Sequence, residues 1–219
     1  MTTFFAPVDN YCERLDAGMW SEPVNAITNA AFFIAAWLLY RQYQTLKLCD
    51  KSCLTLIFLI GLVGLGSLTF HTHGTYAAMF LDIIPIIVFV CYFLITVLQR
   101  LLGMSKLKTF LALALFIFAS SQMMNLPLEY SFNGSASYFV CLFTLIIIGS
   151  VLAYRRHPAT NAFFHACLWF TASLTFRSID MTVCEGFPLG THFMWHICNG
   201  VVLYVLTKTM FLHSAHAAK

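Results

Sequence analysis

Seven apolar stretches, each about the length of a membrane span, alternate along the chain with short polar breaks. They run near 22–40, 53–70, 76–98, 107–124, 136–154, 160–178 and 189–212. A helix needs about 20 apolar residues to cross a bilayer, and each stretch is close to that length. The breaks read RQYQTLKLCDK, HTHGT, QRLLGMSKLK, NLPLEYSFNGS, YRRHPAT and DMTVCEGFP, and carry the Pro, Gly, Asn and charge expected of loops. The pattern predicts an all-α integral membrane protein, a seven-transmembrane helix bundle forming a single domain over 1–219 with an acidic segment over 1–21. Composition agrees: 60% of residues are hydrophobic and only 10% charged, against about 25% charged in soluble domains. No polar stretch is long enough for a separate soluble domain. Met1 to Val8 is too short and too poor in basic residues to read as a cleavable signal peptide.

Charge sorts between the two sides. Arg41, Lys47 and Lys51 lie at the first break, Arg100, Lys106 and Lys108 at the third, Arg155 and Arg156 at the fifth, and Lys208 and Lys219 near the end. The N-terminal segment carries Asp9, Glu13, Asp16 and Glu22 against Arg14; the fourth break has only Glu129, and the sixth Asp180 and Glu185 with Arg177 nearby. Basic loops stay cytoplasmic, which places the N-terminus outside and the C-terminus in the cytoplasm. An odd number of spans requires that same opposition. The net charge of +3 is spread over short loops, so no nucleic-acid partner is expected.

The chemistry concentrates at one depth. His192 and His196 are four residues apart, so both imidazoles share a helix face. Burying two imidazoles in an apolar segment is costly unless something pairs with them, and a divalent metal is the simplest partner. His71 ends the second stretch, Ser67 lies one turn before it, and Asp82 lies early in the third. With the orientation above, all five sit near the outer face. Three neutral imidazoles suit zinc with one position left for water. Asp82 is a candidate general base, and Ser67 could steady an oxyanion. Together they describe metal-assisted hydrolysis of a carbonyl compound within the bilayer. A lone His-x-x-x-His pair also fits haem, a proton relay or simple packing. His73 reads as a loop residue, His165 as a hydrogen-bonded interior residue, and His157, His213 and His216 as solvated cytoplasmic residues. Gly61, Gly64 and Gly66 read as points of close helix approach, and Asn133-Gly-Ser135 as a glycosylation sequon on the outer side.

The ordered pieces Cys12-Glu13, Glu22-Pro-Val-Asn25-Ala-Ile-Thr28-Asn29, Gly66-Ser67-Leu-Thr-Phe-His71, Leu81-Asp82-Ile-Ile-Pro85, Arg177-Ser-Ile-Asp180, Cys184-Glu185 and His192-Phe-Met-Trp195-His196 span most of the chain. The pattern resembles the alkaline ceramidases, within a superfamily that also holds the progestin and adiponectin receptor-like proteins. The N-terminal pieces are more similar to the ceramidases, and the charge sorting favours that branch's orientation.

The resemblance implies a zinc amidase that cleaves ceramide, a membrane lipid, with His71, His192 and His196 on zinc, Asp82 as base and proton shuttle, and Ser67 at the oxyanion. It further implies a Cys12–Cys184 disulfide and a calcium site near the zinc, for which this chain offers Glu13, Asp16 and Glu22, with Asn10 or Asp9. Residues 10–15 depart from the family's usual Asp-Trp-Cys-Glu-Glu-Asn, reading Asn10-Tyr11-Cys12-Glu13-Arg14-Leu15, and Ile83 stands where the family usually has Glu. The alternatives are a receptor of the related branch, a transporter, or a hydrolase of another acyl lipid. The membrane is expected to be a bacterial inner membrane or a eukaryotic internal one. The cysteines inside the stretches, Cys91, Cys141, Cys167 and Cys198, read as small apolar residues, and Cys49 and Cys53 as reduced thiols at the cytoplasmic loop.

Overall fold

A computed structural model describes residues 4–127 and 130–217, with side chains of the last helix described as far as Phe211. The expectations for Glu129, His213, His216 and Lys219 lie outside those residues or side chains. The chain is all-α: α1 (Pro23–Thr28), α2 (Ala30–Thr45), α3 (Lys51–His73), α4 (Tyr76–Arg100), α5 (Lys106–Met124), α6 (Ala136–Tyr154), α7 (Thr160–Ile179) and α8 (His192–Ala217), with a 3₁₀ turn at Asp180–Thr182. Among the described residues there is no β-strand, only an isolated bridge between Pro7 and Thr75.

Five helical segments are long and apolar enough to cross a membrane: Pro23–Thr45, Lys51–His73, Tyr76–Arg100, Lys106–Met124 and Ala136–Tyr154. At 20 and 26 residues, α7 and α8 have the length, but they are not among the five. Polar residues dilute both: Asn161, His165 and Arg177 in α7, and His192, His196 and Asn199 in α8.

Helix ends follow local chemistry. Asp50 caps α3 by accepting from Ser52 N, Thr75 caps α4 by accepting from Ala78 N, and Ser105 caps α5. Gly74 ends α3 in the left-handed conformation (φ +53°). The first stretch differs from expectation. It is broken at Asn29, whose side-chain amide donates to the carbonyls of Asn25 and Ala26, and it then continues to Thr45. The last helix begins at His192, three residues later than expected, because Gly190 (φ +62°) turns the chain just before it.

Consecutive helices from α2 to α8 pack in sequence, and α8 returns to α2, closing a ring. The apolar core fills it, with Leu39, Leu56, Ile60, Leu152, Phe163 and Met210 fully buried. α5 buries only Thr109 and rides on the outside. Two of the three glycines in α3 do what the sequence suggests. A Cβ on Gly64 would meet Phe32, and one on Gly66 would collide with the Leu81 carbonyl. That carbonyl is free to face α3 because Pro85, four residues on, has no N–H to give it. Gly61 has nothing within 4 Å, so its assignment to a close approach is corrected. His165 also departs from expectation. The buried stripe of α7 is Phe163, Ala166, Cys167, Phe170, Ser173 and Leu174, and helical periodicity puts residue 165 on the exposed side. His73 is the exposed last residue of α3 rather than a loop residue. At the end of the bundle away from the histidines, Arg100 pairs with Asp50 and donates to Ser52.

Candidate metal centre

The last turn of α3, the first turns of α4 and α8, and the short α1 meet at one end of the bundle. His71, His192 and His196 converge there, 0–1% exposed. Their ring centroids are 4.7, 4.8 and 5.2 Å apart, and one ring nitrogen from each lies within 4.8 Å of the others. Among the described residues no other three His, Cys, Asp or Glu side chains converge this way.

The neighbours of each ring decide which nitrogen is free. His71 Nδ1 lies 2.5 Å from Glu22 Oε2. A carboxylate has no proton to give, so Nδ1–H donates and Nε2 keeps its lone pair. His196 Nδ1 lies 3.0 Å from Thr28 Oγ1. The Thr28 hydroxyl already donates to the Val24 and Asn25 carbonyls at 2.8 and 3.0 Å, so it accepts from the imidazole. His71 Nε2, His196 Nε2 and His192 Nδ1 are buried without a hydrogen-bond partner. Orphaned buried acceptors are costly, and three aimed at one point fit a metal such as zinc, with Glu22 and Thr28 as the outer partners that orient its ligands.

Other residues fix the third ring and the approach. Tyr11 stacks on His192 at 3.7 Å between centroids, with 18° between the planes. Burial pushes the Tyr11 phenol above its ordinary value, so it stays neutral and accepts from Arg177 Nη1 at 2.7 Å. The Arg177 guanidinium lies 5.2–5.6 Å from the ring centres of Trp195, Tyr138 and Tyr11, and Asn133 Nδ2 donates to its backbone carbonyl. Asp180, fully buried, accepts from Cys12 N (3.0 Å), Thr191 N (2.6 Å) and His192 N (2.9 Å). It thereby caps α8 at the end that carries His192 and ties the N-terminal segment to it. Cys12 and Cys184 form a disulfide beside it, their Cα atoms 5.3 Å apart.

Ser67 and Asp82 meet where Gly66 lets α3 and α4 touch. The Ser67 hydroxyl lies beside the Asp82 carboxylate, and Asp82 Oδ1 is left unpartnered. A cavity of about 430 Å³ has Asp82, His192, Tyr11 and Arg177 in its wall, with Ile86, Phe116 and Met124 among its apolar lining. A narrower apolar pocket of about 90 Å³ shares Ile86, Val90, Phe116, Tyr138, Cys141 and Trp195 with it and runs on to Ile148 and Leu206.

The sequence-expected calcium ligands are not brought together. Glu13 accepts from Val24 N (2.6 Å) and Asn25 N (2.8 Å), holding α1. Glu22 is taken by Arg14, His71 and Asn25. Asp16 is exposed and accepts from Ser21 and from Gly18 N, which together hold its carboxyl below its ordinary value. Asn10 is exposed. A buried guanidinium, that of Arg14, lies among these groups, so they do not fit calcium.

Arg14, Thr28, Tyr11, Arg177 and Asp180 were not assigned roles from the sequence. For Arg14, Arg177 and Asp180 a signal exists: in a chain only 10% charged, a charge beside an apolar stretch needs a partner. A sequence model of the family described as Ceramidase matches residues 9–219, nearly the whole chain. No curated protein matches it.

Proposed function

The chain belongs to the ceramidase family, and on that premise we propose that it is a zinc-dependent intramembrane amide hydrolase cleaving the N-acyl bond of ceramide-type sphingolipids. The products are a fatty acid and a sphingoid base. The observation that carries this reading is the set of three unpartnered imidazole nitrogens together with an unpartnered oxygen of Asp82, His192 and Asp82 both lying in the wall of a largely apolar cavity. In this reading α7 and α8 also cross the membrane, giving seven spans with the metal centre at the outer face.

His71, His192 and His196 would hold the zinc. Zinc in such a site lowers the pKa of water to about 7 and polarises a carbonyl. Glu22 and Thr28 keep His71 and His196 in the tautomers that present Nε2 inward. Asp82 Oδ1 accepts a proton from the water that attacks the amide carbonyl. It delivers that proton to the amide nitrogen as the carbon–nitrogen bond breaks. The Ser67 hydroxyl, beside Asp82, would orient that carboxylate or steady the oxyanion. The cavity and its narrow extension take the hydrocarbon, and Arg177 offers the released fatty acid carboxylate a positive charge.

The test is sphingoid-base release from a panel of ceramides of different acyl length by purified, zinc-loaded protein and by His192→Ala. Release by wild type and none by the variant is expected. A folded, zinc-loaded wild type that releases nothing from any ceramide but hydrolyses another acyl lipid would move the substrate assignment. One that hydrolyses no lipid would end the hydrolase reading.

A further inference from the structure

Arg14 sits where a free cation would. Its side chain is 1% exposed, and oxygen atoms surround its guanidinium: Glu22 Oε1 at 2.6 Å from Nε, the Asp16 and Gly18 carbonyls each at 3.3 Å from Nη1, and the His71 carbonyl at 3.4 Å from Nη2. One carboxylate oxygen and three backbone carbonyls are the donor set that suits a hard divalent cation. Here it closes around a guanidinium, whose five N–H groups can serve several acceptors at once.

Two further features show that this seat is built for the side chain. The His71 carbonyl belongs to the last turn of α3, the negative end of a 23-residue helix, where a cation is favoured. Gly74, just past that turn, leaves the space: a Cβ there would overlap Arg14 Cζ, Nη1 and Nη2. The guanidinium also links distant parts of the chain. Through Glu22 it leads to His71 Nδ1, and through Asp16 and Gly18 it holds the loop whose Trp20 N donates to the Thr72 carbonyl.

We propose that Arg14 is a built-in cation: its guanidinium occupies the oxygen cage between the N-terminal segment and α3, so that this chain anchors Glu22, and through it His71, without calcium. Arg14 is then a positioning residue acting on the metal centre through Glu22. The calcium expected by resemblance is replaced by a covalently attached charge, one that chelators cannot remove.

The experiment uses full-length protein in buffers stripped of calcium by chelating resin and then loaded with zinc. Melting temperature and bound zinc are read against added calcium. Wild type is expected to show no saturable change in melting temperature from zero to millimolar calcium. Arg14→Ala leaves the buried Glu22 carboxylate without its guanidinium partner, held only by His71 and Asn25. It is expected to melt roughly 5–10 °C lower, to hold zinc about 10-fold more weakly, and to regain part of both on adding calcium, which the emptied cage can now accept. Saturable calcium stabilisation of wild type, or an Arg14→Ala protein as stable and as zinc-loaded as wild type, would overturn the proposal. If Arg14→Ala does not fold, Arg14→Lys keeps the charge without the fork and is expected to fold, melt at an intermediate temperature and ignore calcium; calcium stabilising Arg14→Lys would also overturn it. The inference rests on the metal reading only for its zinc arm. Melting against calcium tests Arg14 even if no ceramide is hydrolysed.

Discussion

The two ends of this bundle are held by opposite means. At one end a disulfide, a buried Arg14–Glu22 ion pair and a set of charge-assisted hydrogen bonds join the N-terminal segment, α1, α3 and α8. Through the rest of the ring, Leu, Ile and Phe side chains interlock, with one Arg100–Asp50 pair at the far margin. Apolar packing is non-directional and tolerates small shifts. Hydrogen bonds to buried charges fix direction. The division therefore assigns stability mainly to the ring and geometry mainly to the braced end, where three imidazoles must point at one place.

The comparison breaks most sharply at His192. His192→Ala removes one of three inward nitrogens, and loss of both bound zinc and detectable turnover is expected by metal analysis and product assay. Asp82→Asn keeps the imidazoles and removes the proton acceptor; turnover is expected to fall about 10²–10⁴-fold while zinc content is unchanged. Asp180→Asn turns an acceptor of three backbone N–H groups into one that must present its own NH₂ to some of them. Zinc affinity is expected to fall about 10–100-fold in a competition titration, with a modest drop in melting temperature. Phe163→Ala probes the other side of the comparison. Its ring is fully buried between α6 and α7, against Gly149 and near Phe93, and its loss costs about 3–5 kcal/mol. Melting temperature is expected to fall strongly, with turnover per folded molecule close to wild type.

The smallest effect lies in the loop that Arg14 holds. Asp16 is kept below its ordinary value by the Ser21 hydroxyl and the Gly18 N–H. A carboxyl depressed on folding stabilises above its unfolded value, about 3.9 for Asp, and that contribution is lost as pH falls through the lower folded value. Trp20 fluorescence should report loop opening only below that range. Ser21→Ala should move the transition to higher pH by a fraction of a unit, leaving turnover at neutral pH unchanged.

The helices were legible because apolar runs end at chemically distinct breaks, and Ala136–Tyr154 falls on its expected bounds. The His triad was legible because imidazoles in apolar segments demand a partner. The break at Asn29 was not, since no Pro or Gly marks it; a side-chain amide competing for helix carbonyls does the work instead. The interior expectation for His165 fails because α7 carries apolar residues around most of its circumference, so only packing reveals which face is inside. In the sequence Arg14 is one charge among several in an acidic segment. Its burial depends on Glu22, His71 and Gly74 coming together, a contact between distant parts of the chain that a linear reading does not show.

The Cys12–Cys184 link, with Tyr11 stacked on His192, has a consequence for biosynthesis. Ribosomes make the N-terminal segment first, yet the groups that secure it are made last. A nascent chain that stops before Cys184 holds one of the three converging imidazoles and no partner for its waiting thiol. On the proposed reading the metal centre could assemble only after α8 has been made, and the Cys12–Cys184 link would then hold the N-terminal segment and its Tyr11 against it.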